Sequence, residues 1–114
     1  MLSKVKNIHF IEIGGIGMSS LALILLDRGF HISGSDLRQS DLTEKIKKKG
    51  GRVFIGHQPS NIPETTELVV YSSSIPNNNP EIIKAKRKKL PLVHRADVVA
   101  ELLNSKLGIA VTGA

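Results

Sequence analysis

The 114-residue sequence contains no cysteine, which excludes disulfide bonds, thiolate metal ligands and thiol chemistry. A chain without disulfides suits a reducing compartment, so we expect a cytoplasmic protein. Long apolar runs are also missing, since each apolar segment is shorter than the roughly 18 residues that a membrane span requires. No signal peptide is evident at the start. The sequence therefore predicts a soluble protein with no membrane partner.

Aromatic residues are scarce, with no tryptophan, one tyrosine and three phenylalanines, so stacking platforms for single-stranded nucleic acid are poorly supplied. The formal net charge is nevertheless +6, and much of it lies in residues 45–49 (KIKKK) and 84–89 (KAKRKK). One interpretation of these clusters is a nucleic-acid-binding surface. The interpretation we adopt is two solvated helix faces, with cations near the helix C-termini where the helix dipole favours them. We therefore expect no nucleic-acid partner.

Strand-like and helix-like segments alternate along the chain. The predicted strands are residues 7–13, 31–35, 52–55, 67–71, 92–94 and 107–111, and the predicted helices are residues 18–29, 41–49, 81–89 and 96–104. Asp41 is the predicted N-cap of the second helix, and Gly50 with Gly51 ends it. Because parallel neighbours need crossover connections, this alternation predicts an α/β domain with a doubly wound, mainly parallel sheet in a Rossmann-like three-layer αβα arrangement.

Three glycines interrupt the passage from the first strand into the first helix. Such a turn leaves the first N–H groups of the helix unpaired, and together with the helix dipole they attract an anion. Gly14 and Gly17 occupy the second and third positions of a dinucleotide-type G-x-G-x-x-G pattern, and Gly15 adds further freedom. Asp36 lies nineteen residues after Gly17, at the end of the next strand, where an acid can accept ribose hydroxyls. A tight strand-to-helix turn without any ligand is the alternative explanation.

Glu12 stands at the first position of this pattern. Because a carboxylate that faces a pyrophosphate would repel it, we expect the Glu12 side chain to point away, toward the sheet edge or a basic partner. Ligands of open parallel sheets bind beyond the carboxyl ends of the strands. The polar candidates at those ends are Gly14–Ser19, Asp36, His57, Ser72–Ser74 and Arg95. Each has an ordinary alternative: His57 and the serines as caps, and Arg95 as an ion-pair partner of Asp97 or Glu101.

Six segments together resemble the N-terminal domain of the Mur ligases, the ATP-dependent ligases of peptidoglycan synthesis. They are "HFIEIGGIGMSSLA" at 9–22, "SGSD" at 33–36, "IGH" at 55–57, "NNPEIIKAK" at 78–86, "HRADVVAEL" at 94–102 and "GIAVTGA" at 108–114. The resemblance extends over essentially the whole chain in a consistent order. In the family, a glycine stands where this chain has Glu12, so the geometry of the turn is where this sequence departs from the pattern.

The resemblance implies a three-domain enzyme that joins L-alanine to UDP-N-acetylmuramate through an acyl phosphate. Its first domain holds the UDP portion, its second binds ATP and magnesium, and its third receives the amino acid. By similarity, the pyrophosphate contacts are Gly14, Gly15, Ile16, Gly17, Met18 and Ser19. The ribose and uracil contacts are Asp36, His57, Ser72 and Ser73, with Arg95 as a weaker contact. No catalytic residue or metal ligand is expected in this segment.

The last residues resemble the start of the family's ATP-binding P-loop, at Thr112 and Gly113. By this similarity, residues 1–106 form the UDP-sugar-binding domain, and residues 107–114 form a linker strand and the start of the ATP-binding domain. The P-loop lysine would follow Ala114, so we expect the piece to bind without catalysing. Two related hypotheses remain, a nicotinamide-binding module of an oxidoreductase and the ligase that recycles a murein tripeptide. The sequence does not indicate the oligomeric state.

Overall fold

Five strands and four helices alternate in the computed structural model, which describes residues 1–104. The strands are β1 (Asn7–Ile11), β2 (His31–Asp36), β3 (Arg52–Ile55), β4 (Leu68–Tyr71) and β5 (Leu92–His94). The helices are α1 (Ile16–Asp27), α2 (Asp41–Lys48), α3 (Pro80–Arg87) and α4 (Arg95–Asn104). Single 3-10 turns lie at Leu2–Lys4 and Pro59–Asn61. The predicted sixth strand, residues 107–111, lies outside the described residues.

The five strands form one parallel sheet in the order β3-β2-β1-β4-β5. From β1 the chain winds outward through β2 and β3, and it then crosses back to build β4 and β5 on the other side. The direction of winding therefore reverses between β1 and β4, the place where open α/β sheets bind ligands. The predicted doubly wound, Rossmann-like α/β fold is confirmed.

The sheet separates two apolar cores, because successive strand residues point to opposite faces. On β1, Ile8 and Phe10 face the larger core, which contains the apolar sides of α1, α2 and α4. Ile11 faces the smaller core on the α3 side, together with Val69 of β4 and Ile82 of α3. Both faces of β1 and β4 are thus covered, which explains why these two strands are mostly apolar on both faces.

The helix ends differ from the sequence prediction by one or two residues. Helix α1 begins at Ile16, two residues earlier than predicted, with Gly15 as its N-cap. The predicted N-cap of α2 was wrong, because Ser40 takes that role and Asp41 is the first helical residue. The Ser40 hydroxyl accepts the Thr43 N–H at 3.2 Å, and the Thr43 hydroxyl accepts the Ser40 N–H at 2.8 Å. This reciprocal pair outcompetes a lone aspartate, whose charge still suits the first turn.

Candidate functional site

The turn that follows β1 is held by backbone contacts to its neighbours. Glu12 adopts a left-handed conformation with φ +67°, which costs an L-residue about 1–2 kcal/mol. The Gly15 N–H donates to the Glu12 carbonyl at 3.1 Å, and the Gly14 N–H donates to Asp36 Oδ2 at 2.8 Å. A Cβ on Gly14 would approach that same oxygen to 2.8 Å, so a glycine is required for this contact. The turn is therefore tied firmly to the end of β2.

The first turn of α1 presents unpaired backbone donors. Within residues 1–104, the N–H groups of Ile16, Gly17 and Met18 donate to no protein acceptor, and the Ser19 N–H is the first to bond, to the Gly15 carbonyl at 2.7 Å. Three adjacent N–H groups at the positive end of a 12-residue helix favour an anion. The backbone geometry of an anion site, as predicted from the glycines, is thus present. The identity of the ligand that binds there stays a prediction.

These amides border a cleft of about 390 Å³ beyond the carboxyl ends of β1, β4 and β5. Its lining residues are Glu12, Gly15, Gly17, Met18, Ser72, Ser73, Ser74, His94 and Arg95. Arg95 forms no ion pair within the described part of the chain, so the alternative pairing with Asp97 or Glu101 does not occur. A Cβ on Gly17 would lie 3.2 Å from the Arg95 guanidinium carbon. The unpaired Arg95 guanidinium therefore lies beside the unpaired N–H groups of the first turn of α1.

His94 lines the cleft and is not among the contacts predicted from the sequence. Its Nδ1 accepts the Ala96 N–H at 3.1 Å, so the proton of the neutral ring is on Nε2, which donates to Ser73 Oγ at 2.9 Å. The ring also packs edge-on against Tyr71, with 5.4 Å between the centroids. The signal that was available is its position, since His94 ends β5 and directly precedes Arg95.

Glu12 also lines the cleft, and its carboxylate accepts the Ser74 hydroxyl at 3.1 Å. Ser72 Oγ in turn lies 3.0 Å from Ser74 Oγ. The basic partner that we expected for Glu12 is not found, because this carboxylate forms no ion pair within residues 1–104. Its partner Ser74 follows β4 at the carboxyl edge of the sheet, and the expectation that Glu12 points away from the phosphates stays a prediction. A negative charge therefore stands in the same cleft as the free amides and Arg95.

The predicted contacts that are not among the cleft-lining residues are Gly14, Ile16, Ser19, Asp36 and His57. The Ser19 side chain is buried, and its hydroxyl donates to the Ile16 carbonyl at 3.1 Å. Asp36 uses both carboxylate oxygens on backbone donors, Oδ2 on Gly14 and Oδ1 on the Leu37 N–H at 2.7 Å. Asp36 thus holds the turn in place, and Ser19 stabilises the first turn of the helix.

His57 is another predicted contact that does not line the cleft. Its Nδ1 is 2.9 Å from Ser35 Oγ and 3.5 Å from Glu81 Oε2. It belongs to a buried cluster on the α3 side of the sheet that the sequence analysis missed. Glu81 is separated from His57 by 24 positions and from its other partner, His9, by 72 positions. No local sequence pattern predicts contacts between residues so far apart along the chain.

Glu81 is fully buried in the first turn of α3. Burial raises the pKa of its carboxyl, but the hydrogen bond and charge of His9, with hydrogen bonds from Asn61 and Ser35, outweigh burial and hold the pKa below its ordinary value. The carboxylate is therefore ionised at neutral pH. It accepts four hydrogen bonds, from His9 Nε2 at 2.7 Å, Asn61 Nδ2 at 2.8 Å, Ser35 Oγ at 2.9 Å and the Gln58 N–H at 3.2 Å.

Other predictions fall partly outside what the structure describes. Thr112 and Gly113, the predicted start of a P-loop, lie beyond the described residues. Within residues 1–104, no group of three or more histidine, aspartate or glutamate side chains is arranged to hold a metal ion. Over the same range, every helix is too short or too polar to cross a membrane.

Comparisons with known proteins agree with this architecture. Residues 7–107 match the model of the Mur ligase family, catalytic domain. The UDP-N-acetylmuramate–L-alanine ligase of Geotalea daltonii is 46% identical over 113 residues, 99% of this chain and 24% of that protein. The ligase of the same name from Aquifex aeolicus is 47% identical over 110 residues, 96% of this chain and 24% of that protein. The chain thus spans about a quarter of the length of these curated relatives.

Solved structures show the same fold. The UDP-N-acetylmuramate-alanine ligase of Thermotoga maritima aligns with a TM-score of 0.77 at 33% identity, over 81% of this chain and 21% of that one. A murein peptide ligase of Psychrobacter arcticus aligns with a TM-score of 0.81 at 21% identity, over 87% of this chain and 21% of that one, a likeness of fold alone. The resemblance found in the sequence is confirmed. With the family match covering residues 7–107 and the same fold in solved members, this chain belongs to the Mur ligase family.

Proposed function

We propose that this chain is the N-terminal, UDP-N-acetylmuramate-binding domain of an ATP-dependent ligase that adds L-alanine to that nucleotide sugar. The names of the curated relatives support the substrate and the reaction. The observation that carries the proposal is the group of three free amides, at Ile16, Gly17 and Met18, beside the unpaired Arg95 guanidinium. A diphosphate is an anion that fits such donors, because it takes hydrogen bonds from several N–H groups at once.

The diphosphate and the nucleoside of the proposed ligand have separate contacts on the chain. The diphosphate lies on the turn Gly14–Met18, and the ribose and uracil lie toward the predicted contacts Asp36, His57, Ser72 and Ser73. Asp36 contributes mainly by holding the turn, since both of its oxygens already accept backbone N–H groups. Ser19 acts inside the helix and is not proposed as a ligand contact.

The chain's own part in the reaction is to bind and orient the UDP-sugar. We propose residues 1–106 as this binding domain and residues 107–114, with Thr112 and Gly113, as the beginning of the ATP-binding domain. ATP and magnesium would serve the whole protein by activating the muramyl carboxylate. The given residues contain no Gly-Lys-Thr or Gly-Lys-Ser sequence, so by themselves we expect them to bind without catalysis. A cytoplasmic location belongs to the same proposal.

Calorimetric titration of UDP-N-acetylmuramate into the folded chain tests the proposal. We expect measurable binding heat, a weaker signal with UDP and a much weaker one with uridine, because uridine lacks the diphosphate. A flat titration at millimolar ligand, with circular dichroism confirming the fold, would contradict the proposal.

A fluorescence titration with NADH tests the nicotinamide-binding alternative on the same sample. We expect no enhancement of NADH fluorescence, because the relatives that support the proposal are UDP-N-acetylmuramate ligases. An NADH signal that UDP does not displace would favour an oxidoreductase module. A ligase assay of the complete gene product, with L-alanine and the murein tripeptide compared as acceptors, distinguishes the two ligase assignments.

A further inference from the structure

The Glu81 cluster has a defined direction of hydrogen bonding. An ionised carboxylate only accepts, so each of its neighbours must donate to it. Ser35 has one hydroxyl proton, and that proton is used on Glu81 Oε1 at 2.9 Å. The Ser35 oxygen must then accept the remaining contact, from His57 Nδ1 at 2.9 Å. The proton of a neutral His57 ring is therefore on Nδ1, where Glu81 Oε2 at 3.5 Å also favours it.

The other nitrogen of His57 is left as a bare acceptor. His57 Nε2 is buried and has no hydrogen-bond partner within the described residues, and it is the one buried side-chain polar atom there in that condition. Buried polar atoms are almost always satisfied in folded proteins, so this unpaired acceptor needs an explanation. In contrast, the Glu81 carboxylate accepts four hydrogen bonds.

The segment that carries His57 is fixed at the carboxyl edge of the sheet. The Gly56 N–H donates to the Asp36 carbonyl at 2.7 Å, which extends the β2–β3 pairing by one contact. The Gly56 carbonyl accepts Asn61 Nδ2 at 2.6 Å, and the same amide group donates to Glu81 at 2.8 Å. Glu81 thus holds both the His57 ring, through Ser35, and the loop on which it stands, through Asn61.

We propose that Glu81 is a positioning residue that acts through Ser35 to hold His57 in the Nδ1-protonated tautomer and so keeps Nε2 as an acceptor for the ligand. The chemistry that fits a bare imidazole nitrogen is an N–H or O–H donor, which the nucleoside half of a uridine nucleotide supplies as the uracil imide or a ribose hydroxyl. The tautomer follows from the protein alone. The ligand contact rests on the proposed function.

Long-range ¹H–¹⁵N correlation spectra of the ¹⁵N-labelled chain at pH 8 test the tautomer. We expect His57 to show a protonated Nδ1 and an unprotonated Nε2. His94 is an internal control with the opposite tautomer, because its Nδ1 accepts the Ala96 N–H. A His57 ring protonated on Nε2, or one that averages between both tautomers, overturns the inference.

Two variants test whether Glu81 and Ser35 set that tautomer. In Glu81→Gln and in Ser35→Ala we expect the two His57 nitrogen shifts to converge toward an average, while His94 stays unchanged. Ser35→Ala removes one buried oxygen and leaves Glu81 in place, so it carries the test if Glu81→Gln does not fold. An unchanged, single His57 tautomer in folded Ser35→Ala overturns the proposed relay.

Addition of UDP tests the ligand contact, and two analogues identify the donor. We expect UDP to shift the His57 Nε2 resonance, and we expect that shift to be lost with either N3-methyl-UDP or 2′,3′-dideoxy-UDP. If both analogues bind and both retain the shift, the ligand contact is wrong. If UDP moves no resonance at all, the proposed function fails together with the ligand contact, whereas the tautomer is already decided by the spectra of the free chain.

Discussion

Glu12 combines two unfavourable features at one residue. Its backbone is left-handed, the conformation that a glycine adopts without a Cβ penalty, and its carboxylate stands in the cleft that presents amides and a guanidinium to an anion. The hydrogen bond from Ser74 holds that carboxylate in the cleft. Residues that carry such costs concentrate at functional sites, so the cleft is where a substitution should change function most.

Glu12→Gln should tighten the binding of UDP about tenfold, or about 1.4 kcal/mol, because it removes a negative charge beside the diphosphate. Calorimetry at low ionic strength measures this gain, which salt should reduce. Glu12→Gly is the matched variant, since it removes the same charge and also the left-handed strain. The free energy of unfolding of Glu12→Gly should exceed that of Glu12→Gln by about 0.5 kcal/mol. The relief of left-handed strain stabilises the glycine variant, and the greater conformational entropy of its unfolded chain offsets part of that gain. Equal or weaker UDP binding by Glu12→Gln would contradict the placement of the diphosphate.

Glu81 should make the stability of the fold depend on acid pH. Because its pKa in the folded chain lies below the ordinary value of 4.5, it contributes stability that is present above that pH and is lost as the pH falls through the folded pKa. Urea unfolding from pH 7 to pH 3 should therefore show a declining free energy of unfolding. Glu81→Gln should be less stable at pH 7, on the order of 1–3 kcal/mol, and should flatten the decline.

Within residues 1–104, the titratable side chains facing Glu81 are His9 and His57, and both are retained in the Glu81→Gln variant. Glu67 also has a lowered pKa, because backbone N–H groups of Lys6 and Asn7 donate to its carboxylate. Glu67→Gln therefore measures the share of the acid-range decline that comes from Glu67. A full decline in Glu81→Gln would show that its buried contacts do not stabilise the ionised form.

At the scale of elements, the cleft depends on where α1 begins. The glycine turn delivers the chain into the helix at Ile16, so three N–H groups face outward before the first helical hydrogen bond closes at Ser19. Helix α4 begins at Arg95, directly after β5, which brings the guanidinium to the same place. Neither helix would form the site alone.

Gly17→Val should reduce UDP affinity by at least tenfold while the fold is retained. Even the Cβ of a new side chain would come within 3.2 Å of the Arg95 guanidinium, so valine must displace Arg95 and cover the amides. Ser20→Val is the control, because it places the same side chain one turn later on α1, where it does not line the cleft. Calorimetry measures binding, and circular dichroism measures the fold. Undiminished binding by Gly17→Val would place the phosphates elsewhere.

At the scale of the molecule, the positive charge is divided between the two faces of the sheet. Helix α2 packs on the larger core and α3 on the smaller one, so the clusters 45–49 and 84–89 lie on opposite sides. Some of these charges are already paired, for example Lys49 with Asp27 at 2.9 Å and Lys88 with Glu64 at 3.5 Å. The molecule therefore lacks, within its described residues, the single basic stripe that a duplex requires.

We accordingly expect no retarded complex with duplex DNA in a gel-shift experiment at 150 mM salt, and at most a weak, salt-sensitive one at 20 mM. A nucleic-acid-binding domain of known affinity serves as the positive control. A complex that persists at 150 mM salt would restore the nucleic-acid interpretation of the basic clusters.

The sequence by itself determined the order and type of the described elements, because apolar runs, caps and glycines act over a few residues. It also identified the glycine turn, since the requirement for small residues at a strand-to-helix turn is local. Only the tertiary structure decided that Glu12 lies inside the cleft, that His94 joins Ser73 there, and that Glu81 gathers partners from β1, β2 and the loop after β3. The physical reason is distance along the chain. A hydrogen bond between His9 and Glu81 spans 72 positions, and such a contact exists only once the sheet has brought its strands together.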